Sequence, residues 1–152
     1  MLRYRSEGEL HKDFHGLTCA TLHYLMDNYG LDAVREVMSN TAAKVYKAIH
    51  DALCEGDYSA LLEHWEYYMA REGAKFATES FEGGVRMTVH DCPAQRHLLK
   101  LGRKADPVLC QATKIFNEAL VSGSDFSAEL EKSGPFSCVQ TIKKQDGLYD
   151  TK

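Results

Sequence analysis

The chain has 152 residues, 44% of them apolar and 26% charged, a length that supports one hydrophobic core but hardly two. Only three prolines and no run of eighteen apolar residues argue against a disordered or membrane-spanning chain. Eighteen basic against 22 acidic side chains leave a net charge of −4, which speaks against nucleic acid as a partner, because phosphate attraction needs a basic surface.

The start, Met1-Leu2-Arg3-Tyr4-Arg5-Ser6-Glu7, shows no apolar run of seven or more residues with a small-residue cleavage site, so a cytoplasmic location is expected. Five cysteines, Cys19, Cys54, Cys92, Cys110 and Cys138, form no CxxC pair and read as free thiols.

In chain order, residues 7–29 carry Leu10, Phe14, Leu17, Leu25 and Tyr29 at helical spacing, and Gly30 ends the segment. A second helix begins near Asp32 and runs about six turns along Val34, Val37, Met38, Val45 and Ile49 to Gly56. A third, over 59–72, carries Leu61, Leu62, Trp65, Tyr68 and Met69, with Gly73 as its stop.

The period then changes to two: Phe76, Thr78 and Ser80, then Val85, Met87 and Val89, alternate with their neighbours across Gly83-Gly84, which predicts an antiparallel hairpin. Helices over 93–101 and 107–121 follow, each opened by proline. A second hairpin over 126–130 and 137–142 turns at Ser133-Gly134-Pro135. Three helices, a hairpin, two helices and a hairpin exclude an alternating α/β fold and predict a single α+β domain. Its four-stranded antiparallel sheet should carry helices on one face, with an ordered core over about 7–143 and a short flexible tail. The other face and the aromatic third helix leave room for a homodimer.

Several residues could carry chemistry. His11, His15, Cys19 and His23 recur every fourth residue, so neighbours lie one helical turn apart. His11 and His23 are nevertheless about 18 Å apart at the helical rise, too far for one ion. The ordinary reading is two boundary histidines, His11 and His15, at the edge of the apolar stripe, with Cys19 and His23 turned away from it. A divalent metal at His11 and His15 is the alternative, without an HExxH-type signature behind it.

In Val89-His90-Asp91-Cys92-Pro93 a strand gives way to a helix, and the partial positive charge of a helix start favours a thiolate. Cys92 is therefore the leading candidate nucleophile. His90 offers a proton acceptor and Asp91 an orienting carboxylate, although neighbours in a strand point to opposite faces. Arg96, one turn after Cys92, could hold a carboxylate by paired hydrogen bonds. Cys110 has the surroundings of a core residue, and Cys138 faces the helices or the open side according to strand register.

Cys92-Pro93, Leu109-Cys110 and the strand entry from Gly134 to Cys138 stand in an order that resembles the L-2-amino-thiazoline-4-carboxylic acid hydrolase-like family. The likeness is strongest over 89–142, and residues 7–80 match only in helical layout. The resemblance implies a small-molecule substrate and hydrolytic opening of a cyclic amidine ring by attack at the carbon between nitrogen and sulfur. Such a reaction needs a nucleophile, a proton donor and a cation for the substrate carboxylate. Cys92 fits the first role, His90 or His15 the second and Arg96 the third, with Cys110 and Cys138 in the substrate pocket. Thr113 stands where the family tends to carry an acidic residue. That departure leaves open a non-catalytic pocket that binds a small ligand or a metal.

Overall fold

The computed structural model describes residues 13–145. Helices α1 (Phe14–Tyr29), α2 (Leu31–Asn40), α3 (Lys47–Cys54) and α4 (Ser59–Arg71) make the front half. Strands β1 (Lys75–Phe81) and β2 (Gly84–Asp91), helices α5 (Pro93–Lys100) and α6 (Pro107–Val121), and strands β3 (Phe126–Gly134) and β4 (Ser137–Lys144) follow. The four strands form one antiparallel sheet in the order β1-β2-β4-β3, so the second hairpin docks through β4 on the first. The expected α+β architecture is present, with the helices on one face of the sheet.

The expected second helix is interrupted. A π-helical turn over Thr41–Val45 separates α2 from α3. The chain bends there because Tyr46 leaves helical geometry, while its amide still reaches the Thr41 carbonyl. Ala42, Ile49 and Leu53 thereby remain on the buried side.

The first helix corrects the sequence reading more sharply. Leu17 and Tyr29, placed on the buried stripe, are 70% and 66% exposed, whereas Cys19, placed off it, is fully buried with Leu22. The physical reason is that α1 has apolar residues all round, so its sequence selects no single face. The polar groups that neighbouring segments offer settle the rotation, and the inward line becomes His15, Cys19, Leu22 and Met26. His11 lies outside the described residues, as does the expected flexible tail beyond Gln145.

Two buried clusters hold the molecule together. One joins Ile49, Leu53, Leu61, Trp65, Val85, Met87, Val89, Phe126 and Ile142 between the sheet and helices α3, α4 and α6. The other packs Cys19, Leu22, Val34 and Leu98 against Val108, Ala112 and Ile115. Helix α6 belongs to both, since Leu120 and Val121 at its far end enter the first cluster.

In the sheet, register puts Val85, Met87 and Val89 opposite Ile142, Gln140 and Cys138. Directly opposed residues share a face, so Cys138 points toward the helices. The outer face is polar, with Arg86 paired to Glu79 at 2.6 Å and Lys143 to Glu129 at 2.9 Å. Gly84 starts β2 where a Cβ would sit 2.3 Å from the Ile142 carbonyl oxygen, so only glycine permits this approach of β2 to β4. Among the described residues no helix is long and apolar enough to cross a membrane.

Candidate functional site

A pocket of about 250 Å³ lies between α4, the start of α5, α6 and the inner face of the sheet. Helix α4 contributes Leu61, His64, Trp65 and Tyr68, because residues three and four apart share one face. Helix α6 contributes Cys110, Thr113 and Asn117 by the same periodicity, and alternation in β4 contributes Cys138 and Gln140. Cys92 enters from the N-terminal end of α5, where Pro93 is the first helical residue. Three cysteines from three segments thus line one pocket.

Burial keeps two of these thiols, Cys92 and Cys138, protonated. Burial pushes the Cys92 thiol up, against the lowering influence of the Gln95 and Ala94 amides that face it, and negative charge on Cys110 or Glu72 would raise it further. Cys138 is pushed up to about 11, again chiefly by burial, which outweighs the Gln140 side-chain hydrogen bond. Burial opposes charge on a thiol as it does on any acid. The helix start therefore softens the cost of a thiolate at Cys92 without making one the resting state.

The polar groups of the lining are largely fixed by one another. Asn117 Nδ2 donates to Gln140 Oε1 at 2.7 Å, and both residues are buried. Gln95, 1% exposed, makes a reciprocal pair with the Asp106 backbone, Nε2 donating to the carbonyl and Oε1 accepting from the amide, each at 2.8 Å. The same Nε2 lies 3.6 Å from Cys110 Sγ. Burial lowers the His64 pKa to about 4, so the imidazole is neutral near pH 7. Its ring sits between those of Tyr46 and Tyr68, with centroids 5.2 and 4.7 Å away.

The sequence candidates divide between places. Cys92, Cys110, Cys138 and His15 line the pocket. His15 Nε2 is 2.8 Å from Glu72 Oε2, a pair shielded from solvent. His90 does not join them: it is exposed and follows Val89 on the opposite face of β2, as alternation requires. Asp91 and Arg96 are also outside the lining. They form an ion pair at 2.5 Å, and the Arg96 guanidinium lies 4.1 Å from the Phe136 ring centroid. Both border a separate polar hollow of about 230 Å³ with Glu72, His97 and Lys100. Among the described residues, no lysine or arginine lines the first pocket.

Sequence reasoning missed His64, Glu72, Gln95, Asn117 and Gln140. His64 had a usable signal, since it falls on the face that carries Leu61 and Tyr68. The amides had none, because an isolated Gln or Asn reads as surface until a fold buries it.

No family model matches the chain, and no curated protein matches it. Among solved structures, the chain is similar to a single-residue mutant of the Fe(II) unliganded H-NOX protein from K. algicida, at 17% identity and a TM-score of 0.44, over 97% of this chain and 80% of that one. The parent H-NOX protein gives 16% identity and a TM-score of 0.41, over 98% and 81% of the two chains. Likeness at that level assigns neither ligand nor activity.

Proposed function

We propose that this protein is a small-molecule-binding domain whose ligand occupies the pocket between α4, α6 and the sheet. The observation that carries the reading is the lining itself: an apolar wall of Leu61, Trp65, Met87 and Val89 into which a few positioned polar groups converge. That combination is the usual make-up of a small-ligand site. Neutral His64, the Asn117–Gln140 pair and the protonated Cys92 and Cys138 thiols suit a ligand without net negative charge, since a buried carboxylate would need a cation beside it. The ligand class is a compact neutral molecule, aromatic or heteroaromatic, with one or two hydrogen-bonding atoms.

A second reading is supported by one feature. Cys92 stands at the first turn of α5 with the Ala94 and Gln95 amides facing its sulfur, as a thiol nucleophile would require. The resemblance to the thiazoline hydrolase-like family gives that nucleophile a cyclic amidine as substrate. His90, the proton acceptor that the sequence suggested, is exposed on the other face of β2, so the hydrolase would need a different base.

One set of measurements separates the readings. Trp65 lines the pocket and is the chain's single tryptophan, so neutral heteroaromatic fragments that enter should change its fluorescence. Thr113→Phe, which fills the pocket from α6, should abolish the change while circular dichroism is retained. Fragments that leave Trp65 unperturbed, or bind Thr113→Phe equally well, would overturn the binding site. Turnover of L-2-amino-thiazoline-4-carboxylic acid by the parent chain, lost in Cys92→Ser at unchanged Tm, would establish the hydrolase.

A further inference from the structure

A second site forms where α1 meets the loop between α5 and α6, outside the pocket lining. Cys19 and His23 are one turn apart on α1, and Asp106 precedes α6 as its N-cap. Asp106 Oδ1 accepts from the Val108 amide at 3.0 Å, which fixes the carboxylate and leaves Oδ2 for α1. Cys19 Sγ donates to Oδ2 at 3.3 Å, and His23 Nε2 is 2.7 Å from the same oxygen. The sulfur, nitrogen and oxygen atoms all lie within 4.8 Å of one another.

We infer that Cys19, His23 and Asp106 form a binding site for a borderline-soft divalent ion of the zinc type, with a water molecule as its fourth ligand. The donor set is thiolate, imidazole and carboxylate, the three ligand types that zinc takes from proteins. Tetrahedral zinc, with bonds of about 2.3 Å to sulfur and about 2.0–2.1 Å to nitrogen and oxygen, spaces its ligand atoms about 3.3–3.5 Å apart. The sulfur–oxygen separation already has that value. The nitrogen–oxygen separation, now bridged by a proton, must open by about 0.6 Å on that geometry.

Access and charge agree with the site. Cys19 is fully buried, but the His23 side chain is 46% exposed, so an ion and its water can enter from the His23 side. Arg103 Nη2 donates to Cys19 Sγ at 3.4 Å, a contact that would stabilise the thiolate. On binding, the thiol proton leaves to solvent and His23 takes the tautomer protonated at Nδ1, which frees Nε2 for the ion. Metal affinity should accordingly rise with pH.

His15, the other histidine on this line of α1, is engaged with Glu72 and belongs to no such trio among the described residues. Neither do the three pocket cysteines, whose donor atoms are not gathered this closely with a third His, Cys, Asp or Glu ligand.

The test uses the full, untagged chain, stripped with a chelator and titrated with Zn²⁺ against a chromophoric chelator, then with Co²⁺ as a spectroscopic probe. One ion per chain and a sulfur-to-cobalt charge-transfer band are expected. His23→Ala, at an exposed position that folding tolerates, should weaken Zn²⁺ binding by at least about 100-fold, since loss of an outer partner alone commonly costs about 10- to 100-fold. Cys19→Ser should remove the charge-transfer band. Cys54→Ser, which alters the exposed cysteine 3.9 Å from His50, should change neither. No competition with the chelator, absence of the band, or binding that survives His23→Ala and is lost in Cys54→Ser would overturn the site.

Discussion

His64 is the residue through which acid should act on this fold. Burial takes its pKa from 6.5 to about 4, so the native state resists a proton that the unfolded chain accepts readily. Stability from this group is complete above pH 6.5, falls as the pH drops toward 4, and changes little below that. The full difference between the two values corresponds to about 3 kcal/mol. Urea unfolding at pH 7 and pH 4.5 should show the parent chain losing a substantial part of that amount. His64→Gln should lose less over the same interval, and equal pH dependence in the two proteins would show that His64 is charged or solvated in the fold. Near pH 7 the same property supplies the pocket with a neutral imidazole, a hydrogen-bonding group that carries no charge.

At the scale of elements, the join between α5 and α6 depends on Gln95. Its side chain satisfies both the amide and the carbonyl of Asp106, the residue that caps α6 and also faces Cys19 and His23. Gln95→Ala would leave two backbone groups short of partners in a protected place. At about 1–1.5 kcal/mol for each hydrogen bond, the loss should be about 2–3 kcal/mol, measurable as a lower urea midpoint. Amide exchange at Val108 and Leu109 should quicken more than exchange in β4, and uniform acceleration across both would place the effect in global unfolding alone.

Legibility in the sequence follows the same physics. The hairpins and the proline-started helices were readable because alternation, glycine turns and Pro93 and Pro107 are local signals. The facing of α1 was not, because Leu17 and Tyr29 are as apolar as Leu22 and only the position of Asp106 and Arg103 turns Cys19 inward. The positions of Cys92, Cys110 and Cys138 on their own elements could be approached from the sequence, but Cys138 needed the β2–β4 register. The amide groups that complete the pocket wall depend on tertiary contacts that leave no periodic trace.

Across the whole molecule, α6 makes the two buried clusters one cooperative unit. Leu98 is fully buried in the cluster around α1, α2 and α5, while Trp65 is buried in the cluster against the sheet. The two are linked by α6, whose first turns supply Val108 and Ala112 to one and whose end supplies Leu120 to the other. Leu98→Ala removes packing at the first cluster and should cost about 2–5 kcal/mol, the range for a large-to-small change in a packed core. Because α6 cannot give up one cluster and keep its place in the other, Trp65 fluorescence and far-ultraviolet circular dichroism should report one coincident transition at the lowered midpoint. Trp65 retaining the parent midpoint while helical signal is lost earlier would divide the chain into two separately stable layers. Coincidence would mean instead that the pocket beside Trp65 and the Cys19–His23–Asp106 cluster on α1 rest on a single folding equilibrium. An ion binding only the native state at the second position would then raise the stability of the first by mass action, with no need for the two to touch.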